Sequence, residues 1–389
     1  MIYFDNAATT RVRDEVFEKI TPYLTEYYGN PSSIYSIARE SKNALEKARE
    51  QVAAAIGAKP NEIYFTGCGT EADNWAIKGV AEARAEKGRH IITTKIEHHA
   101  VLHTCEFLEK NEYDITYLGV DKDGLISLDE LSSAIRDDTI LISVMYANNE
   151  IGTIQQISEI GEIAKERGVL FHTDAVQAVG HLPVDVRKQN IDLLALSGHK
   201  VYAPKGVGAL YVSHKIVDLP PFMHGGGQER KKRAGTENVA GIVGLGEALS
   251  LLTAELSEET KRTLQIRDRI IDGVLAAVPH TFLNGSRTSR LPGNVNISFE
   301  YIEGESLLLM LDAKGIMASS GSACTSGSLE PSHVLLAIGL PHEKAHGSLR
   351  VSVGRYNTLE DAETLIRELP PIVSRLRDMS PLYQDFLSK

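Results

Sequence analysis

Asp174 and Lys200 are the two residues in this chain whose types and spacing most suggest joint chemistry. Asp174 lies in Phe171-His-Thr-Asp-Ala-Val-Gln177 and Lys200 in Ala195-Leu-Ser-Gly-His-Lys200, each just after an apolar, β-rich run. Their separation is about one strand–helix–strand crossover, which puts both side chains at neighbouring strand ends facing one cavity. Taken singly, a lysine is usually a surface residue and an aspartate an ordinary helix cap. A third element changes that reading. In Phe65-Thr-Gly-Cys-Gly-Thr-Glu-Ala72 a strand runs into a glycine turn, with Thr70 placed to cap the helix that follows. Backbone N–H groups and the helix dipole make such a turn an anion site, most often for phosphate. A lysine for a covalent link to an aldehyde, an acid to keep a pyridine nitrogen protonated and an anion cradle are what pyridoxal phosphate requires. All three are present. Two other meanings of the turn stay open here. It is also a common strand-to-helix connection, and Gly67-x-Gly69-x-x-Ala72 loosely spells a dinucleotide fingerprint, with Glu97 near the place of a ribose-binding acid.

Further groups invite chemical readings. In Glu97-His98-His99-Ala-Val-Leu-His103-Thr-Cys105, His99 and His103 would share a helix face, the minimum for a zinc site, but no further spaced ligand accompanies them. Solvated or capping imidazoles are the plainer meaning. His98, just past a strand, is placed to cover a cofactor ring. The chain has only three cysteines, Cys68, Cys105 and Cys324, too few for a disulfide framework. Cys68 reads as a small buried residue. Cys324 differs, because Ser319-Ser-Gly-Ser-Ala-Cys-Thr-Ser-Gly-Ser328 surrounds it with small residues that bury little and lose much entropy on ordering. A thiol there is expected to travel and react as its thiolate, with His98 the candidate to assist it.

The elements that must hold these groups are legible in outline. β-rich runs at 62–65, 90–93, 139–145, 169–172 and 191–196 are each followed by a loop and a helical stretch. That alternation implies an α/β fold with a parallel or mixed sheet covered on both faces. Val16, Ile20 and Leu24 mark one helix face, and residues 36–56, rich in Ala, Glu, Lys and Arg, read as an exposed helix. Helical pattern at 238–256 and 264–278 leads into new strands at 294–299 and 349–353, a smaller C-terminal domain. At 389 residues, two domains are expected.

The net charge of −11 argues against nucleic acid or anionic membrane as partner. No uninterrupted apolar run approaches the ~18 residues of a membrane span. The start Met-Ile-Tyr-Phe-Asp lacks the basic and apolar regions of a signal peptide, so a reduced, cytoplasmic setting is expected.

Set in order along the chain, Tyr3-Phe-Asp-Asn-Ala-Ala-Thr-Thr10, Tyr28-Gly-Asn-Pro-Ser-Ser33, Asn148-Asn-Glu-Ile-Gly152, Asp174-Ala-Val-Gln177, Ser197-Gly-His-Lys200, Met223-His-Gly-Gly-Gly-Gln-Glu-Arg230, Arg233-Ala-Gly-Thr236 and the Cys324 segment resemble the group I, NifS/IscS-type cysteine desulfurases. That group lies within the class-V aminotransferases. The stretch after Cys324, up to His333, is more similar to the NifS branch. The resemblance implies pyridoxal-phosphate fold type I: a mostly parallel seven-stranded sheet between helices, with a smaller α/β domain. Residues 14–256 would form the large domain, and 1–13 with 257–389 the small one. Lys200 would carry the cofactor, Asp174 would pair with the ring nitrogen, Gln177 would bond the ring hydroxyl and His98 would stack on the ring. Gly69, Thr70, Ser197 and His199 would hold the phosphate, joined by Thr236 from a partner subunit, hence a homodimer. Asn149, beside the cofactor, and Arg350 would hold the substrate carboxylate. The implied reaction takes sulfur from L-cysteine onto Cys324, leaves L-alanine and delivers the sulfur to an iron–sulfur scaffold protein. No intrinsic metal is implied, Cys324 being a candidate ligand of a cluster shared with that scaffold. A selenocysteine lyase or an aminotransferase of the same fold is the alternative. A nucleotide-dependent oxidoreductase would leave Asp174 and Lys200 without a purpose, and a partner-binding protein would need none of these groups.

Overall fold

The computed structural model describes residues 1–320 and 331–388. After a short strand β1 (Ile2–Tyr3), seven strands make the main sheet: β2 (Ile63–Thr66), β3 (His90–Thr94), β4 (Asp114–Leu118), β5 (Thr139–Ser143), β6 (Leu170–Asp174), β7 (Leu193–Ser197) and β8 (Gly208–Val212). Their order is β2-β8-β7-β6-β5-β3-β4. Neighbours from β4 through β7 are parallel, while β8 runs antiparallel to both β7 and β2. Six strands therefore point one way and present their carboxyl ends on one side. The five expected strands are all present, their ends shifted by at most two residues. β4 and β8 were not anticipated. The first is an edge strand opening on Asp114, and the second follows Pro204-Lys-Gly-Val-Gly208, which reads as loop.

Every residue of β3, β5, β7 and β8 is buried, as a sheet covered on both faces demands. One face contributes Phe65, Ile92, Ile142, Phe171 and Leu194 to a core shared with the helices Ser36–Ala55 and Val239–Ala277. The other packs Ile91, Leu141, Leu193 and Leu210 against Trp75, Ile77 and Val80 of the helix Gly69–Ala83.

The helix Ser36–Ala55 is not an exposed one. Leu45, Ala48, Val52 and Ala53 are buried, and the long helix meets it at Gly246, where a Cβ would stand 2.7 Å from the Ala48 Cα. Small residues on both sides allow this close crossing. The face marked by Val16, Ile20 and Leu24 is also broken: the first two are buried on the helix Asp14–Ile20, but Pro22 starts a new turn and Leu24 is exposed.

The helical pattern that residues 264–278 continue forms the expected single long helix, Val239–Ala277. Its polar middle, Ser257-Glu-Glu-Thr-Lys-Arg262, consists largely of good helix formers and does not interrupt it. An 18-residue window of this helix is apolar enough to cross a membrane, with mean hydropathy 1.5, and 56% of that window is buried within the fold.

The far end of this helix supplies Ile266, Ile270 and Val274 to a separate core with Phe4, Val295, Ile297, Leu307, Leu349 and Leu369. Around it lie β9 (Thr281–Leu283), β10 (Asn294–Phe299), β11 (Ile316–Met317) and β12 (Ser348–Ser352). These form an antiparallel sheet in the order β12-β10-β9 and a parallel pair of β1 with β11. Residues 1–5 thus pack with the C-terminal third of the chain.

Candidate active site

Beyond the carboxyl ends of β2, β3, β5, β6 and β7 lies a cavity of about 260 Å³. Gly69, Thr70, His98, Asn149, Asp174, Gln177, Ser197, His199, Lys200 and Arg350 all line it. Two sequence-predicted residues are not among the lining residues. Thr236 is exposed on this chain, and Cys324 lies outside the described residues. The chain does bring Ser319 to the rim, where its N–H and carbonyl pair with the backbone of Arg350 at 3.1 and 2.7 Å.

β6 and β7 are in register with Asp174 opposite Ala195, so the crossover spacing does place Asp174 and Lys200 on adjacent strand ends. Asp174 closes β6, and its Oδ1 accepts from the Val176 N–H at 2.9 Å. Burial pushes its carboxyl up to about 6, against the downward pull of that hydrogen bond and of the Lys200 charge. Lys200 ends a single 3-10 turn, Gly198–Lys200, and its Nζ donates to the carbonyls of Ala7 and Ala8 at 2.6 and 2.7 Å. Gln177 Nε2 donates to the same Ala7 carbonyl at 3.0 Å. The amino-terminal segment therefore wraps the lysine turn.

His98 is the N-cap of the helix His99–Glu109. Its Nδ1 accepts from the Ala100 N–H at 3.1 Å, which leaves the proton of the neutral ring on Nε2. Burial, with the Lys200 charge second, holds this imidazole down to about 4, so it is neutral at physiological pH. His199 is held down to about 4 by the same two causes in the same order.

From the cavity wall at Asp73 runs a buried polar column that the sequence did not reveal. Asp73, one turn into the helix Gly69–Ala83, sits 3.5 Å from His172 Nε2, and His172 Nδ1 meets the Ser143 hydroxyl at 2.8 Å. Burial, with the Asp174 charge next, drives Asp73 upward, and burial holds His172 down to about 3, so the imidazole is neutral. Asp73 is four residues past Gly69 and so on the same helix face, the one signal that could have found it.

Several expectations are corrected. Thr70 does not cap its helix, which starts at Gly69; the N-cap is Cys68, without a side-chain bond, and Thr70 falls inside the first turn. Cys68 is half-buried on the cavity wall rather than buried in a core. The dinucleotide reading fails because β2, which feeds the glycine turn, is an edge strand paired only with the antiparallel β8. Glu97 is fully buried and accepts from Thr94 Oγ1 and the Met145 N–H at 2.8 and 2.9 Å, so it faces no ribose. His99 and His103 stack at 4.8 Å between ring centres, with His333 4.9 Å from His99. Among the described residues no group of three or more His, Cys, Asp or Glu could hold a metal ion.

The cavity can be compared with those of known proteins. The Aminotransferase class-V family profile matches residues 2–365. The chain belongs to that family. Cysteine desulfurase IscS of Methanosarcina thermophila is 64% identical over 98% of this chain and 94% of that protein. Its counterpart in Clostridium botulinum (strain Hall) is 56% identical over 99% and 98%. A solved structure described as a NifS-like protein superposes with a TM-score of 0.91 at 40% identity, covering 96% of this chain and all of that one. SspA in complex with cysteine superposes with a TM-score of 0.82, also at 40% identity, over 92% and 100%.

The family's cofactor is pyridoxal 5′-phosphate, and the residues of this cavity fit it. Ser197 Oγ is buried without a hydrogen-bond partner among the described residues, as a phosphate ligand would be before its anion arrives. Gly69 opens the helix beside it, and a Cβ there would lie 2.6 Å from Val176 Cγ2, so this close approach requires glycine. At the other end stands the buried Asp174, suited to a cationic ring nitrogen.

Proposed function

We infer that this chain is a cysteine desulfurase that takes sulfur from L-cysteine, leaves L-alanine and holds the sulfur as a persulfide on Cys324. The observation that carries this reading is the meeting of Asp174 and Lys200 on adjacent strand ends, in one cavity with the glycine-turn cradle and Arg350. The bound cofactor supplies a cationic ring that stabilises negative charge developing at the substrate's α-carbon. Ser197, His199, Thr70 and the N–H groups that open the helix at Gly69 hold its phosphate. Asp174, ionised against the ring nitrogen, keeps that nitrogen protonated. Gln177 orients the ring hydroxyl, and neutral His98 covers the ring face. Lys200 would anchor the cofactor, and its Nζ would take the substrate's α-proton. Arg350 and Asn149 hold the substrate carboxylate, for which a guanidinium fork is well matched.

The Cys324 thiolate attacks the substrate sulfur. A sulfur–sulfur bond forms, the carbon–sulfur bond breaks with its electron pair left on the β-carbon, a proton fills that carbon, and Lys200 returns the α-proton to complete alanine. His98, neutral at physiological pH with Nε2 protonated, is the candidate proton carrier for that chemistry. An iron–sulfur scaffold protein is the proposed acceptor of the persulfide, in the cytoplasm, and Cys324 the residue that would meet a cluster there. Exposure of Thr236 supports a homodimer in which that hydroxyl serves the partner's phosphate site. The two separate cores support a division into a cofactor domain, 14–256, and a small domain of 1–13 with 257–389. The test is stoichiometry. Purified protein loaded with cofactor should convert L-cysteine and a reducing thiol into equal amounts of L-alanine and sulfide. Amino-group transfer to a keto acid, without sulfide, would contradict the reading.

A further inference from the structure

Arg350 is a nearly buried cation: on β12, its side chain is 2% exposed. Its Nη2 donates to Asp5 Oδ1 at 2.9 Å and its Nη1 to the Asn149 carbonyl at 3.2 Å. Nε is buried without a hydrogen-bond partner among the described residues. A guanidinium has five N–H groups in a rigid plane, so two bonds leave the others for an incoming carboxylate. The plane itself must come from what grips the first two.

Asp5 is firmly placed. Phe4 before it is fully buried in the second core, and the Ser352 N–H donates to the Phe4 carbonyl at 2.7 Å. The Tyr3 hydroxyl donates to the carbonyl of Asp5 at 3.1 Å. Asp5 thus meets Arg350 on a backbone strapped to β12, the strand that carries Arg350 itself.

We propose that Asp5 is a positioning residue for substrate recognition: its carboxylate fixes the plane of the Arg350 guanidinium, so that the remaining N–H groups face the α-carboxylate of the incoming amino acid. The proposal rests on the assignment of Arg350 to that carboxylate. Asp5 also offsets the Arg350 charge when substrate is absent, since an unpaired buried cation is strongly unfavourable. Asp5 is not among the residues that line the cavity. Its loss should loosen binding of the carboxylate and leave chemistry and cofactor retention alone.

The experiment compares Asp5→Ala, Asp5→Asn and Arg350→Ala in cofactor-loaded protein. The ligands are L-cysteine and cysteamine, which keeps the amine and thiol but lacks the carboxylate. Binding is read from the visible absorbance and turnover from alanine. Asp5→Ala should raise the KM for L-cysteine about tenfold with kcat within about twofold, the scale of a misaligned charged hydrogen bond. Cofactor content and cysteamine binding should stay unchanged. Asp5→Asn, which keeps the shape and one acceptor, should fall between. An unchanged or lowered KM in Asp5→Ala would overturn the proposal, the second outcome marking Asp5 as a competitor of the substrate. Equal weakening of L-cysteine and cysteamine would overturn it too, by showing a merely structural tether. If Arg350→Ala leaves the KM for L-cysteine unmoved, the assignment of Arg350 fails first. If only Asp5→Ala is silent, the positioning role alone fails.

Discussion

Two walls of one cavity are built in opposite ways. The floor, with Asp174, Ser197, His199 and Lys200, comes from successive strand ends of one sheet, within about one crossover of chain. Asp174 and Ser197 are buried and His199 and Lys200 half-buried, and burial moves Asp174 up and His199 down. The rim joins Asp5 to Arg350 across 345 residues of sequence, through a formed ion pair between carboxylate and guanidinium. The floor is arranged to tune protons, whereas the rim is arranged to recognise a shape and a charge. Substitutions on the floor should therefore act on kcat and those on the rim on KM.

The largest effect is expected at Lys200. Lys200→Ala should lose turnover entirely while the fold persists, since the side chain donates to two backbone carbonyls of the amino-terminal segment and is no member of the apolar cores. Borohydride reduction followed by peptide mapping should place the cofactor on Lys200 in the unsubstituted protein. Label on Lys205 instead would break the floor's assignment.

Asp174→Asn comes next. It should retain cofactor yet lose at least tenfold in kcat, because one pKa unit of lost support for the ring nitrogen is about 1.4 kcal/mol. The KM should move far less than in Asp5→Ala. A variant with normal kcat and raised KM would put Asp174 on the rim's side of the comparison.

No loss of turnover is expected from the last change, which concerns stability below the floor. Burial pushes Glu97 up to about 8, so the folded chain keeps a proton that the unfolded chain releases above about 4.5. The Glu97 contribution to stability therefore falls as pH rises from about 5 to 8, by at most about 1.4 kcal/mol per unit. Glu97→Gln should flatten that part of the unfolding profile, measured in urea at pH 5, 6, 7 and 8. An unchanged slope would mean that Glu97 is ionised in the fold.

How far the site could be read from sequence follows the same division. Asp174, Lys200 and the glycine turn were legible because strand ends in a crossover sheet converge wherever the chain alternates β and α. The seven-stranded sheet itself came from the family resemblance. β4 and β8 were missed, the one as an edge strand and the other hidden behind a proline–glycine turn. Asp73 and His172 escaped because a buried polar pair has the same letters as a surface one. Asp5 and Arg350 meet because the residues just after β1 run beside β12, where Asp5 bridges Ser352, a long-range pairing that no local pattern encodes. The burial of the helix Ser36–Ala55 was likewise invisible, since alanines suit an exposed helix and a close helix crossing equally.

The central claim is that sulfur leaves L-cysteine in this cavity and is caught by Cys324. Mass spectrometry of the cofactor-loaded protein after brief exposure to L-cysteine tests it most directly. One additional sulfur should appear on the peptide that contains Cys324, and Cys324→Ala should still bind L-cysteine but form no alanine above background. Additional sulfur on Cys68 or Cys105, or normal alanine formation by Cys324→Ala, would contradict the account.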